Sequence, residues 1–387
     1  MLRPPKLSLY VHIPWCVQKC PYCDFNSHAL KSEIPESIYI DALLDDLDRD
    51  IKAYQLEKSP RPLHSIFIGG GTPSLFSAES IGRLLDGIKK RITFSENIEI
   101  TMEANPGTIE AERFAEYRHA GVNRISIGVQ SFSADKLLKL GRIHGPEEAI
   151  NAANLAHRID LNSFNLDLMH GLPDQTIDEA LSDLDKAIEL APPHFSWYQL
   201  TIEPNTLFYS KPPQLPDDDD LWDIFSQGHK KLTDAGYVQY EISGYSKPGF
   251  QCEHNLNYWR FGDYLGIGCG AHGKVSFSDG KIIRTTKVKH PKGYLNMLKP
   301  YLDSEQLVGD ADRPFEFFMN RFRLIEPCPK SEFEATTGLP ISVIQPTIEW
   351  AKEKGYLIES EDFWQITEKG KLFLNDLLAA FMPEEDQ

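Results

Sequence analysis

The stretch Tyr10-Val-His-Ile-Pro-Trp-Cys-Val-Gln-Lys-Cys-Pro-Tyr-Cys-Asp-Phe-Asn26 places three thiols, Cys16, Cys20 and Cys23, directly after an alternating apolar run at 7–13. That run suits a buried strand, and Pro14 ends its pairing, so the cysteines lie on a loop leaving the strand's C-terminal end. Parallel α/β folds put their chemistry at that end. Three thiolates at Cys-x3-Cys-x2-Cys can hold a cubane iron-sulfur cluster by three corners and leave the fourth iron open to a small molecule. The same residues also read as zinc, with His12 or His28 completing a Cys3His tetrahedron. A disulfide knot is the weaker reading, because three neighbouring cysteines cannot pair evenly and nothing marks secretion.

The 387 residues are 41% hydrophobic, enough for a large core and for more than one domain. The first residues, Met1-Leu2-Arg3-Pro4-Pro5, run straight into the first strand without a signal peptide, and no apolar stretch reaches the length of a membrane span. Six cysteines without a secretory signal point to a reducing, cytoplasmic setting. Forty basic against 57 acidic residues give a net charge of −17, which opposes non-specific binding to nucleic acid or anionic membrane. The acidic run 217–220 after Pro216 reads as the solvated start of a helix.

Downstream, the pattern alternates. Helical periodicity at 38–56, 80–92, 109–119, 146–157 and 177–190 interleaves with strand candidates at 64–68, 98–103, 124–129, 163–169 and 195–201. Counting the first strand, six βα units predict an α/β fold built on a parallel, incomplete TIM-like barrel. Polar residues collect where such a barrel opens: Gly69-Gly70-Gly71-Thr72-Pro73 after the second strand, Glu103-Ala104-Asn105-Pro106 after the third, Gln130-Ser131 after the fourth, Asp167 within the fifth and Thr201-Ile202-Glu203-Pro204 after the sixth. The glycine run lacks the Lys-Ser/Thr of a P-loop and the third spaced glycine of a dinucleotide fingerprint, so it reads as a tight turn or a ligand cradle. Glu103 and Asp167 stand inside otherwise apolar strands and need a partner, either a ligand or a salt bridge.

These residues resemble the radical S-adenosylmethionine (SAM) superfamily, in its oxygen-independent coproporphyrinogen dehydrogenase-like branch. Tyr10, the cysteine triplet with Tyr22 before its last member, Gly70-Gly71-Thr72, Glu103, Gln130, Arg142 and Asp167 occur in that branch's order. The resemblance implies a 4Fe-4S cluster on Cys16, Cys20 and Cys23, with SAM chelating the open iron. It implies that the glycine loop meets the methionyl amine, and that Glu103, Gln130, Arg142 and Asp167 line SAM, with Thr201 and Ile267 beside it. Within the branch the sequence is similar to the HemW-type haem chaperones. Phe25 replaces a further cysteine of the dehydrogenase pattern, the first strand begins close to Met1, and His254-Asn255-Leu-Asn-Tyr258-Trp259 matches their haem motif.

By that resemblance His254 is a haem ligand, with Cys252 as the second candidate, and Asn255, Tyr258 and Trp259 complete the site. Haem and acceptor haemoproteins become the implied partners, and a cluster-aided homodimer is a further implication that no residue specifies. The rival activity in the same branch is oxidative decarboxylation of coproporphyrinogen. The glycine-dense stretch 264–273 reads as a turn that the resemblance sets over the adenosine side, and Cys269 and Cys328 read as buried free thiols. From about Pro314, three helices, two strands around Ser360-Glu361-Asp362 and a closing helix resemble a winged helix. From residue 312 onward 8 basic and 15 acidic residues leave a net −7, the wrong sign for a duplex reader, so a docking or lid role is expected there. The expected division is a barrel at 1–245, a segment at 246–311 that completes the site, and the C-terminal unit at 312–387.

Overall fold

The computed structural model describes residues 2–58, 60–107, 112–159, 161–296 and 298–383. Six strands run parallel as the sequence implies: β1 (Leu7–Ile13), β2 (Leu63–Gly70), β3 (Phe94–Ala104), β4 (Arg124–Gln130), β5 (Ser163–His170) and β6 (His194–Gln199). A seventh parallel strand, β7 (Asp263–Gly268), pairs with the free side of β1, with Tyr10 opposite Gly266. The stretch read as a glycine-dense turn is therefore mostly strand, with the turn confined to residues 269–271. Its glycines hid this from the pattern, yet they are what allows it, because a Cβ on Gly266 would lie 1.9 Å from the His272 carbonyl oxygen on the neighbouring strand.

The sheet does not close. Three antiparallel strands, His272–Ser276, Ile282–Lys287 and Leu302–Leu307, extend it beyond β7, and Gly244–Ser246 and Val238–Gln239 extend it beyond β6. The alternation of each strand divides its side chains between two environments. Leu9, Val11, Ile66, Ile68, Ile125, Ile127, Leu166 and Leu168 pack with Leu43, Leu84, Ala152 and Leu184 of the covering helices in one apolar core. Those helices are Glu36–Ala53, Ala78–Lys89, Phe114–Ala120, Pro146–Arg158 and Ile177–Glu189, close to the expected spans, and residues 109–111 of one expected span lie outside the described residues. Asp217 caps the helix Asp218–Asp234 by accepting from the Asp220 amide at 2.9 Å, so the acidic run is a helix start.

The inward face is polar and layered by the register. Ser8, Ser65 and Glu99 form the lowest layer; Tyr10, Phe67, Thr101 and Arg124 form the next; His12, Gly69, Glu103 and Ser126 lie above them. The short helix Glu253–Trp259 caps the lower end. Its first amides, on Glu253 and His254, donate to the Glu99 carboxylate at 3.1 and 3.0 Å.

A second apolar core joins Leu2, Phe261, Ile282 and Val308 to Phe317, Phe318, Phe333, Ile348, Trp364 and Phe381. Around it, helices Arg313–Arg321, Lys330–Thr337 and Gln345–Glu353 precede strands Leu357–Glu359 and Phe363–Ile366, in the winged-helix order the sequence suggests. Arg284–Glu316 and Arg260–Glu326 ion pairs tie this unit to the sheet edge and to the capping helix.

Beneath β7 lies a buried charge cluster. Lys287 donates to Asp46 and Asp50, both at 2.6 Å, while Asp46 also accepts from Tyr294 at 2.7 Å and from the Gly268 amide at 3.2 Å. Removing the cation leaves two buried carboxylates unneutralised. Lys287→Ala is expected to lower the unfolding free energy by about 3–5 kcal/mol in urea denaturation. A loss below about 1 kcal/mol would show that solvent or Tyr294 suffices for the acids.

Candidate active site

Where β1 ends, Pro14 breaks pairing with the main sheet, but pairing resumes one residue later. Trp15–Cys16 runs parallel to His28–Ala29, with further bonds from the His28 amide to the Pro14 carbonyl and from the Leu30 amide to the Cys16 carbonyl. Residues 16–28 are thus a loop pinched shut at its base. The Gly71 and Thr72 amides donate to the Ile13 and Trp15 carbonyls, both at 2.7 Å, and so bind the glycine turn to the root of the cysteine loop. Gly70 is required by this contact: its φ is +113°, and a Cβ there would lie 2.5 Å from the His12 ring.

Above the strand ends lies a cavity of about 440 Å³. Of the residues expected in the site, Cys16, Cys20, Tyr22, Cys23, Gly70, Gly71, Thr72, Glu103, Gln130, Arg142, Asp167 and Thr201 all line it. Tyr10 lies just below, stacked on Phe67, and donates to His12 Nδ1 at 3.0 Å. Ile267 does not line the cavity: it is fully buried in the apolar core, on the opposite face of β7. Tyr198 belongs to the lining although it was not singled out from the sequence, and Asn105, quoted there only within the polar run after the third strand, lines it as well. Tyr198 follows His194 and Ser196 at a spacing of two on the inward face of β6, and Asn105 stands two residues after Glu103, so the strand period carried both signals.

The polar groups hold one another. Arg142 Nη2 donates to Asn105 Oδ1 and to the Gly128 carbonyl, both at 2.7 Å, and its Nη1 stands 3.9 Å from Cys20 Sγ. Asn105 Nδ2 donates to Thr72 Oγ1 at 3.3 Å, Tyr198 Oη to Gln130 Oε1 at 2.8 Å, and Thr201 Oγ1 to Glu203 Oε1 at 2.8 Å. Gln130 takes φ +69°, a left-handed conformation that costs a non-glycine residue about 1 kcal/mol or more. Asp167 accepts from Ser126 at 3.0 Å and from Asn165 at 2.8 Å.

Glu103 accepts the Gly70 amide at 2.9 Å and has no ion-pair partner among the described residues. Burial and then the nearby Asp167 charge push its carboxyl up to about 8, and burial also raises Asp167. Burial likewise raises the thiols of Cys16 and Cys23. The salt-bridge reading of these carboxylates therefore fails: the acids face a cavity.

The capping helix tells a different story. His254 is fully buried, with Nδ1 2.8 Å from Ser65 Oγ and Nε2 2.8 Å from Tyr258 Oη. Its ring lies against Phe67 at 5.2 Å between centroids. Trp259 lies under the Arg323 guanidinium, which stands 4.3 Å from its ring centroid, and Asn255 is partly exposed. Cys252 is buried, donates to Glu99 Oε1 at 3.4 Å, and is pushed up to about 12 by burial first and then by Glu99 against the opposing pull of Arg124. The haem motif and the cysteine cavity thus occupy opposite ends of the lumen, separated by the Tyr10–Phe67 layer.

The sequence signature of the radical SAM superfamily matches residues 10–187, and that of the HemN C-terminal domain matches residues 309–373. The chain is 65% identical to the Heme chaperone HemW of Escherichia coli (strain K12) over 384 residues, spanning 99% of this chain and 100% of the relative. It belongs to the HemW family of the radical SAM superfamily. The Heme chaperone HemW of Bacillus subtilis (strain 168) is 34% identical over 388 residues, covering 97% and 99% of the two chains. The structure of coproporphyrinogen III oxidase (HemN) from Escherichia coli, a radical SAM enzyme, aligns with a TM-score of 0.81 at 23% identity, over 98% of this chain and 90% of that one. That likeness is one of fold.

Membership of the radical SAM family implies a 4Fe-4S cluster and SAM. The donor set fits. Three thiols line one cavity, and the imidazoles that would complete a zinc tetrahedron are committed elsewhere. His12 Nε2 donates to the Asn26 carbonyl at 2.9 Å, and His28 faces His290 and the Lys289 carbonyl. Neutral buried thiols release protons when a metal takes them.

Glu103 also makes a pH prediction for the metal-free chain. Its folded pKa of about 8 lies above the ordinary carboxylate value, so its contribution is complete below roughly pH 4.5 and is lost as pH rises through 8. Glu103→Gln is expected to match the parent near pH 5 and to exceed it in unfolding free energy at pH 8.5. A difference independent of pH would show that Glu103 is ionised throughout.

Proposed function

We propose that this chain is a cytoplasmic haem chaperone that carries a 4Fe-4S cluster and SAM at the barrel mouth and passes haem to acceptor haemoproteins. The observation that carries the reading is 65% identity along the full length of a relative named Heme chaperone HemW. The intact cavity supports it. Cys16, Cys20 and Cys23 are assigned to the cluster, which would supply one-electron chemistry and an open iron when bound. Gly70, Gly71 and Thr72 are assigned to the methionyl end of SAM, with Glu103 and Asp167 as counter-charges for its ammonium and partners for its ribose. Gln130 and Arg142 orient it, and Thr201 and Tyr22 border it. No helix among the described residues is long and apolar enough to cross a membrane.

His254 is the proposed haem ligand, and its setting gives haem binding a kinetic signature. Both ring nitrogens are occupied, so the ring must release Ser65 or Tyr258 before it can meet iron. In stopped flow, the observed rate of the Soret change is expected to level off as haem is raised, because ring release precedes ligation. His254→Ala should weaken haem binding at least tenfold and leave iron and sulfide content unchanged. Unaltered affinity in that variant would move the ligand to another residue, Cys252 being the nearest thiol.

One further measurement separates this reading from its enzymatic rival, and a second tests the SAM site that both share. Anaerobic incubation with SAM, a reductant and coproporphyrinogen III should give no protoporphyrinogen, whereas product formation would overturn the chaperone assignment. Glu103→Ala and Asp167→Ala should each lower SAM affinity tenfold or more without loss of iron. Retained affinity would return both carboxylates to a structural role. The expected homodimer is checked by sedimentation of the chain with and without cluster.

A further inference from the structure

Asn26 lies three residues beyond Cys23 and outside every residue assigned above. Its Nδ2 donates to two main-chain carbonyls from distant parts of the chain, Cys269 at 2.9 Å and Lys289 at 2.8 Å. Both partners are acceptors, so the orientation of the amide is fixed. The main-chain carbonyl of Asn26 accepts His12 Nε2–H at 2.9 Å, and because Nε2 holds the proton, Nδ1 is left to accept the Tyr10 hydroxyl.

The far side is equally constrained. Gly270 has φ +76°, and a Cβ there would lie 2.3 Å from Asn26 Nδ2, so only glycine lets the amide approach. The turn is anchored from below, where Cys269 N donates to Tyr39 Oη, Tyr39 Oη donates to the His12 carbonyl, and Gly268 N donates to Tyr294 Oη. The Cys269 thiol donates to the Lys289 carbonyl at 2.8 Å. Three segments therefore meet at one side chain: the end of the cysteine loop, the 268–270 turn after β7, and the chain beyond Lys287.

Between Cys20 and Cys23 the loop is tied to distant chain by the Phe208 amide, which donates to the Pro21 carbonyl at 3.0 Å; beyond Cys23 the links to distant chain are those of Asn26 and a longer contact of His28 with the Lys289 carbonyl at 3.4 Å. The ladder at its base and the Cys23-to-Cys20 amide bond of 3.2 Å are local, and Cys23 Sγ stands 3.7 Å from Ser27 Oγ. Thiols on such an arc keep a fixed spacing only if the arc's far end is tied to the rigid sheet. We infer that Asn26 is the positioning residue of the cysteine loop, joining it through two carbonyls to the turn after the seventh strand and to the chain beyond Lys287, so that the three thiols hold the spacing a cluster needs.

The inference rests on the cysteine triplet holding the cluster, and Cys20→Ala serves as the control: retention of full iron there would defeat the site assignment and not the role of Asn26. The test uses the full chain, reconstituted anaerobically with iron and sulfide, as Asn26→Ala and as Asn26→Asp, which keeps the shape and removes the donors. Both variants are expected to keep the melting temperature of the metal-free chain within a few degrees. Both should lose iron to a chelator at least ten times faster than the parent and show a broadened, shifted electron paramagnetic resonance signal after reduction. Parental iron retention and spectrum in either variant would overturn the inference. If Asn26→Ala does not fold, the outcome for Asn26→Asp decides alone.

Discussion

The strand pleat is the constraint on which this structure rests. Seven parallel strands must bury one face under helices, so the other face of every strand looks into a shared lumen. A lumen filled with apolar side chains would be a second core. Here it carries Ser8, His12, Ser65, Glu99, Thr101, Glu103, Arg124, Ser126, Asn165 and Asp167, whose desolvation has to be offset by mutual hydrogen bonds or by a ligand. At the lower end Glu99 is offset by the amides of the capping helix and His254 by two hydroxyls, while one layer up Thr101 Oγ1 and Arg124 Nε are buried without a hydrogen-bond partner. At the top the offset is incomplete, with Glu103 satisfied by a single amide. The buried carboxylates Glu103 and Asp167 face the cavity without an ion-pair partner among the described residues, and they mark the ligand end of the lumen without reference to any relative.

The glycines of the second strand and of the turn after the seventh belong to the same arrangement. They bring neighbouring backbone close enough for the cysteine loop to sit on the strand ends: Gly70 admits the His12 ring and Gly270 admits the Asn26 amide. A reading of Gly69-Gly70-Gly71 as a pure ligand cradle misses this. Gly71 N and Thr72 N are spent on the Ile13 and Trp15 carbonyls, so much of the run's purpose is to fasten one loop to another.

How much was legible in the sequence depended on whether a signal was periodic or long-range. The six strands, their helices and the winged-helix order follow from apolar spacing, and the cavity residues follow from polar residues collecting at strand ends. The seventh strand was hidden because Gly266 and Gly268 dilute its apolar content, and its identity comes from pairing with β1, 256 residues earlier in the chain, Leu7 opposite Asp263. Ile267 was expected beside the cofactor, yet the parity of β7 turns its side chain into the core. Asn26 gives no local signal at all, since its partners, Cys269 and Lys289, become neighbours only after the sheet has formed.

The position of the haem motif follows from the same geometry. A histidine that binds iron needs one free ring nitrogen, and a histidine that plugs a lumen needs both engaged; His254 is in the second condition. Burial pushes its ring down to about 3, with Arg124 and His64 adding to the effect, so the imidazole is neutral at any physiological pH. Neutral imidazole is the form that ligates haem iron, so no proton has to leave before ligation. For the ligation proposed, the ring has to exchange a hydroxyl hydrogen bond for iron, on a seven-residue helix whose first amides are held by Glu99.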